Sequence, residues 1–224
     1  MALWTWWPGD DLPALAPLDD IRVDSQRSVD ELTSLTGLDE DEIQARIVAG
    51  NRCYVAQQGQ SLVAYGWVAA AEANIGELEL PFELDRSNRY LWDFQTLPAW
   101  RGRGIYPRLL QAILSDQGLE DHRFWIITAP ENLSSARGIH KAGFQRVADL
   151  AFTQEGPAGL VATDSHGRGS AGAAVLGVPV VDSGHEPRVS PCWCCVIDAL
   201  RMSSSAACWA PGAFGNTSCT CGQS

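Results

Sequence analysis

No stretch of this sequence reaches the roughly 18 consecutive apolar residues that a membrane-spanning helix needs. Met1 to Trp7 lacks the basic start, long apolar segment and small-residue cleavage site of a secretory leader. Both absences lead to the expectation of a soluble, cytoplasmic protein with no membrane partner. Basic residues are scarce, 16 Lys and Arg against 27 Asp and Glu for a formal charge of −11, which argues against a nucleic-acid surface. Cysteine is nearly missing from the body of the chain, where Cys53 stands alone; Cys192, Cys194, Cys195, Cys208, Cys219 and Cys221 all fall in the last 33 residues. A lone thiol at the start of an extended segment reads as buried and inert. No Gly-Lys-Ser/Thr loop is present, and the one glycine-rich segment carries Pro107 where a dinucleotide motif would have its last glycine. No Ser-His-Asp set has a supporting local motif, so nucleophilic hydrolysis gains little support.

What is present is enough for one sizeable core. The chain has 224 residues, 46% of them hydrophobic, and a domain commonly takes about 100–200 residues. Residues 1–20 carry Trp4, Trp6 and Trp7 among Pro8, Gly9, Pro13 and Pro17, which reads as an irregular arm whose aromatics pack on the domain. Residues 21–165 hold the periodic elements. Residues 166–224 turn to Gly, Ala and Ser and then to cysteine, as in a loosely packed tail. Acidity belongs mostly to the start: residues 1–50 hold eleven acidic and three basic side chains, residues 51–155 twelve and ten. A phosphate-bearing ligand can therefore still meet a locally basic site.

Within 21–165, residues 21–23 form a short strand candidate. Ser28 with Glu31, and Asp39 with Glu42, have capping-box spacing and predict two helices, stopped by Gly37 and Gly50. Extended segments follow at 53–57 and 61–71, at 75–84, where Glu77 and Glu79 share one face, and at 89–97. From 107 to 117, Leu109, Leu110, Ile113 and Leu114 share one helical face before Gly118. A buried strand at 123–129, a short helix to Ala142 and a terminal hairpin (144–152 with 160–163) complete the run. The middle strand–helix–strand unit most simply joins two neighbouring parallel strands through a covering helix. The expected fold is α/β of the α+β kind: a mixed, mainly antiparallel sheet with a central parallel strand pair and helices on both faces.

The strand ending at Leu97 runs into Arg101-Gly102-Arg103-Gly104, followed by Ile105-Tyr106-Pro107. A strand that ends at the foot of a helix aims several unpaired N–H groups at one point, and the helix dipole adds to their attraction for anions. Glycine at 102 and 104 lets backbone approach a pyrophosphate closely. Pro107 costs little at a first helical position, and Arg101 and Arg103 can add charge-assisted bonds. Read alone, the segment is equally a charged surface turn.

The segment from Thr96 to Tyr106 resembles the acyl-CoA motif of the GNAT acetyltransferase superfamily, in which a strand ends in Arg/Gln-x-x-Gly-x-Gly/Ala before a helix. Arg101 matches the first position and Gly104 the first glycine, while Tyr106 stands where a small residue is usual. A second block at family spacing, Asn132-Leu133-Ser134-Ser135 and then Ile139 to Phe144, is similar to the superfamily's asparagine-to-glycine-phenylalanine segment, where the asparagine and the helix start lie along the pantetheine arm. The resemblance implies an N-acyltransferase that uses acetyl-CoA or another acyl-CoA as donor, needs no metal, and passes the acyl group by direct attack of an amine on the thioester. It implies a cofactor site of Leu97, Arg101, Gly102, Arg103, Gly104, Ile105, Tyr106, Asn132 and Ser135, with a polarising backbone N–H near Gln95 to Leu97. The acceptor is expected to be a small-molecule amine, or else a peptide or protein amine, and a homodimer is compatible. A catalytically weak acyl-CoA-binding module is the reading from another class.

Many superfamily members carry a tyrosine acid on the last helix. Ile139 holds that position here and cannot donate a proton, which leaves Tyr106, His140 and Ser135 as substitutes by type. For a base, Asp93 lies between Trp92 and Phe94, where an uncompensated carboxylate is costly; it reads as a structural acceptor or as a substrate or base residue. Glu77 and Glu79 can meet a cationic amine or form a solvated edge. Trp100 adjoins the turn and can buttress it. Cys192 and Cys195 have a zinc-knuckle separation, but Cys219 and Cys221 do not supply the second pair, so no metal is expected.

Overall fold

Extended segments present side chains alternately to two sides, and the apolar residues of this chain occupy both, so its sheet needs cover on both faces. The computed structural model describes residues 1–182 apart from 17, 19, 26, 154 and 155. The six terminal cysteines, Cys192 to Cys221, and the zinc reading attached to them lie outside the described residues.

The elements are β1 (Ala2–Trp6), β2 (Ile21–Asp24), α1 (Val29–Thr36), α2 (Glu40–Val48), β3 (Arg52–Gln58), β4 (Ser61–Ala69), β5 (Glu72–Ile75), β6 (Leu80–Glu83), β7 (Asn88–Thr96), α3 (Ile105–Gln117), β8 (Arg123–Thr128), α4 (Leu133–Lys141), β9 (Gln145–Thr153), β10 (Gly156–Ala162) and α5 (Arg168–Leu176). Eight strands form one sheet in the order β10-β9-β1-β8-β7-β4-β3-β2, and β5 pairs with β6 in a separate hairpin. Only β7 and β8 pair in parallel within the described sheet. The mixed, mainly antiparallel sheet read from the sequence is the fold observed.

One face is closed by α3 and α4. Leu109, Leu110, Ile113 and Leu114 of α3 and Ile139 of α4 pack with Trp4, Trp6, Leu91, Phe124 and Ile126, and each such aliphatic burial contributes about 1.5–3 kcal/mol. On the other face α1 and α2 cover Val55, Tyr65 and Trp67, and the β5–β6 hairpin and α5 cover Tyr90, Trp125 and Leu3. Ser28 caps α1 with a full capping box and Asp39 caps α2, as their spacing predicts.

Three expectations need correction. The segment 1–20 is not wholly an irregular arm: β1 lies inside the sheet between β8 and β9. Its residues are apolar on both faces, as a doubly covered strand requires, and Pro8 acts only after it has ended. The segment 166–224 does not begin loosely: α5 docks a face of small residues, Gly169, Gly172 and Ala173, closely against the sheet, and Arg168 holds Asp10 through two bonds of 2.6 and 2.7 Å. Residues 75–84 are not one strand. Gly76–Leu78 forms a single 3-10 turn inside a hairpin, and Glu79 has a left-handed φ of 49°, so Glu77 and Glu79 do not share a strand face.

Candidate active site

The site begins where two parallel strands stop pairing. β7 and β8 are in register from Asn88 with Arg123 to Leu91 with Ile126. Beyond that point β7 follows β4 to Thr96, while β8 follows β1 to Thr128. A wedge therefore opens between residues 92–96 and 127–128.

A bulge shapes the β7 wall of this wedge. Trp67 pairs with Trp92 and Tyr65 with Gln95, so Gly66 alone faces Asp93 and Phe94, one extra residue on β7. Asp93 takes the left-handed conformation, φ 48°, which aspartate tolerates better than most residues. Arg46 of α2 clamps it with an ion pair of 2.5 Å, holds Glu42 at 2.9 Å, and lies over the Trp92 ring at 4.5 Å and the Trp67 ring at 5.2 Å. Burial works against the Arg46 charge, but Asp93 and Glu42 outweigh it and raise its pKa. Phe94, turned to the opposite face by the extra residue, lies across Gly66, where a Cβ would come within 2.0 Å of its ring. The structure thus gives Asp93 a geometric partner and a place at the rim of the wedge.

Past the bulge, Leu97 donates its N–H to Val63 of β4 at 2.9 Å, and the Thr96 carbonyl accepts from Arg101 Nε at 3.0 Å. Alternation along the strand then turns the N–H group of Thr96 away from β4, toward the wedge. A 3-10 turn at Pro98–Trp100 leads to the glycine segment. Arg103 stacks over Trp100 at 4.7 Å, so Trp100 does buttress the turn. Gly104 is the N-cap of α3 with φ 73° and no side-chain cap, which leaves the first N–H groups of the helix unpaired within it. Pro107 is the third helical residue rather than the first; its missing N–H still belongs to that unpaired set. Arg108, which no local signal singled out, donates to the Gly104 carbonyl at 2.6 Å and to the Ala16 carbonyl.

Tyr106 bridges the two halves of the site. Its ring packs on Phe94 (centroids 5.5 Å apart) and fills a space over Gly138 of α4, where a Cβ would meet it at 2.4 Å. Its hydroxyl accepts from Ser135 Oγ at 3.3 Å, and burial raises its pKa well above the ordinary tyrosine value. A bulky residue on α3 is thus matched by the absence of a side chain on α4. Asn132 is the N-cap of α4; its Oδ1 accepts from the Ser135 N–H at 3.1 Å and from Ser134 Oγ at 3.0 Å. Ile139 is fully buried in the core and does not line the wedge, and His140, next to it on α4, is exposed.

Wedge, bulge, turn, Tyr106, Ser135 and Asn132 therefore converge, while Glu79 stands apart on its turn. On the far side of Trp92 lies a cavity of about 590 Å³ bounded by the β5–β6 hairpin and Asn51. Cys53 is buried, and its thiol is pushed up to about 12, by burial first and then by the Asp93 charge, which removes it as a nucleophile. No group of three or more metal-ligating side chains occurs among the described residues, and no helix among them is long and apolar enough to cross a membrane.

A mixed sheet whose central parallel strands part beside a capless, glycine-led helix N-terminus sets an open wedge next to a group of unpaired N–H donors. The model of the acetyltransferase (GNAT) family matches residues 18–144, more than half of the 224 residues, and the chain belongs to that family of acyl-CoA-dependent acetyltransferases. Solved structures similar to it include yncA of Salmonella typhimurium, provisionally assigned as an acetyltransferase and holding its cofactor acetyl-CoA (16% identity over 62% of this chain and 86% of that one, TM-score 0.46). Others are a GNAT-family acetyltransferase of Elizabethkingia anophelis with acetyl-CoA bound (13%, 60% and 82%, TM-score 0.44) and a GNAT-family acetyltransferase of Colwellia psychrerythraea, of which this chain spans 52% (15%, 65% of this chain, TM-score 0.44). Among curated proteins, none matches the chain.

Proposed function

We propose that this protein transfers the acetyl group of acetyl-CoA to a primary amine by direct attack within the wedge between β7 and β8. The observation that carries this reading is the convergence of the β7 bulge with the uncapped N-terminus of α3. One supplies an N–H group turned into the wedge beside a thioester, and the other supplies unpaired N–H groups and a dipole for the pyrophosphate. The residues present fit such a donor: Gly104 adds no Cβ or cap that would cover the amides, and Arg101 and Arg103 flank them. The thioester supplies an activated acyl carbon and a leaving thiolate.

The chain's own work is then positional and electrostatic. The wedge aligns the acyl carbon with the acceptor, the Thr96 N–H of the bulged strand bears the charge that develops on the carbonyl oxygen, and Asp93 with Arg46 keeps that strand in shape. Tyr106 accepts from Ser135, so its own proton is free to pass to the departing sulfur, and its raised pKa keeps that proton in place at neutral pH. Atoms balance when Tyr106 protonates the departing thiolate and the proton lost by the attacking amine passes through solvent to restore the phenol.

Two measurements test this. Calorimetric binding of coenzyme A to Gly104→Ala is expected to be about tenfold weaker, because a Cβ there adds strain at positive φ and displaces Arg108; unchanged affinity in the folded variant would refute the phosphate turn. Tyr106→Phe is expected to lower kcat about tenfold, the modest loss reflecting a leaving group that departs readily, with coenzyme A affinity retained. An unaltered kcat with chemistry limiting would remove the phenol from the reaction.

A further inference from the structure

Arg108 stands in the first turn of α3, where a cation opposes the helix dipole instead of complementing it. α1 and α2 follow the ordinary pattern, with acidic residues in their first turns, while α3 has none there. The half-buried Arg108 guanidinium donates to two backbone carbonyls, that of Gly104 at 2.6 Å and that of Ala16, and no carboxylate forms an ion pair with it among the described residues. The stability of α3 by itself does not account for such a placement.

The two carbonyls belong to distant parts of the chain. Gly104 is the left-handed N-cap, and its carbonyl shares one trans peptide unit with the Ile105 N–H, so the two groups point in opposite directions. A donor that fixes the carbonyl therefore fixes the direction of the Ile105 N–H, one of the amides that α3 leaves unpaired at its start. Ala16 closes a strap, residues 11–16, that runs past the end of α4 and across α3. The strap is anchored without the turn: the Asp11 carbonyl accepts from Trp6 Nε1 at 3.3 Å, and the Pro13 carbonyl accepts from Gln111 Nε2 at 2.8 Å. Gly143 lets it lie so close that a Cβ there would come within 2.7 Å of the Asp11 carbonyl and 2.8 Å of the Pro13 ring. Arg108 thus braces the glycine turn against a segment that the core holds down.

We infer that Arg108 is a positioning residue of the acyl-CoA site: by bridging Ala16 and Gly104 it holds the Gly104–Ile105 peptide with its N–H directed at the pyrophosphate. This rests on the acetyl-transfer reading and adds to it a residue that acts through another. The planar fork of arginine serves two carbonyls at once, whereas a lysine ammonium carries the charge without the fork. A turn already held in its bound shape has less to lose on binding, which raises affinity.

The test measures coenzyme A binding by calorimetry, with a thermal melt for each protein, for the full chain and for Arg108→Met, Arg108→Lys and Gln111→Ala. Arg108→Met is expected to bind coenzyme A about tenfold more weakly than wild type, and Arg108→Lys about threefold. Gln111→Ala loosens the strap away from the turn, so it is expected to melt lower while its coenzyme A affinity stays within about twofold of wild type. Wild-type affinity in either folded Arg108 variant would overturn the inference, the lysine result by showing that charge alone suffices, and Arg108→Lys decides the matter should Arg108→Met not fold. A loss in Gln111→Ala as large as that in Arg108→Met would overturn it as well, since a loose strap would then explain both. If wild type itself does not bind coenzyme A, the acetyl-transfer reading falls and this inference with it; if wild type binds and the folded Arg108 variants bind equally, only this inference falls.

Discussion

Gly66→Ala is expected to destabilise the protein by about 1–3 kcal/mol, the usual range for overpacking a filled site, and to reduce kcat/KM about a hundredfold. The residue lies mid-strand without a positive φ, so the effect is steric. Its new methyl would stand 2.0–2.6 Å from three ring atoms of Phe94, a ring already held on its other side by Tyr106. Phe94 must swing out, and with it goes the support of the bulged backbone and of the Tyr106 hydroxyl that Ser135 meets. Denaturant unfolding and steady-state kinetics with acetyl-CoA measure the two effects. In a Phe94→Ala background Gly66→Ala should cost little further stability, because the clash then has no second partner. A single variant as stable and active as wild type would show that the ring is not wedged as described.

Arg46→Met keeps the volume and the contact with Trp67 and Trp92 but removes the clamp on Asp93. Here kcat is expected to fall about a hundredfold, with little change in the KM for acetyl-CoA, because the pyrophosphate turn lies at the other end of the wedge and the bulge controls only the polarising N–H group. Asp93 would be left at a left-handed φ of 48° without the ion pair that holds it there, and the strand can relax toward ordinary pairing. A merely structural role would lower stability and leave the kcat of the folded fraction untouched, so activity per folded molecule is the deciding quantity.

Much of this architecture was legible because it follows from local chemistry. The α3 stripe, the Ser28 and Asp39 caps and the glycine turn are each specified within a few residues. The bulge is different: its partners Gly66, Asp93 and Arg46 are far apart in sequence and meet only through β4–β7 pairing and α2 packing. One local signal did exist, since an isolated glycine inside a strand pattern marks a bulge or a close approach, and Gly66 stands inside Ser61–Ala69. Arg46 offered none. Residues 75–84 read as one extended segment with Glu77 and Glu79 on one face, but the backbone turns within it, and Glu72 with Glu83 are the pair that the turn brings together. Small residues misled at 166–176, because Gly and Ala serve equally a loose chain and a helix that must approach a sheet closely. At the start of the chain, prolines at 8 and 13 concealed a strand that had already finished.

That strand has a consequence for how the molecule assembles. Trp4 bonds Thr128 and Thr5 bonds the Phe124 carbonyl across separations of 124 and 119 residues, and the other edge of β1 pairs with residues up to Asp149. During synthesis Ala2–Trp6 emerges well before its partners and must wait, apolar on both faces, until β8 and β9 have followed. Loop closure over such distances slows folding, and an idle double-sided strand is open to pairing with another chain. A strand held inside the finished sheet is thus the one most in need of shelter while the protein is being made.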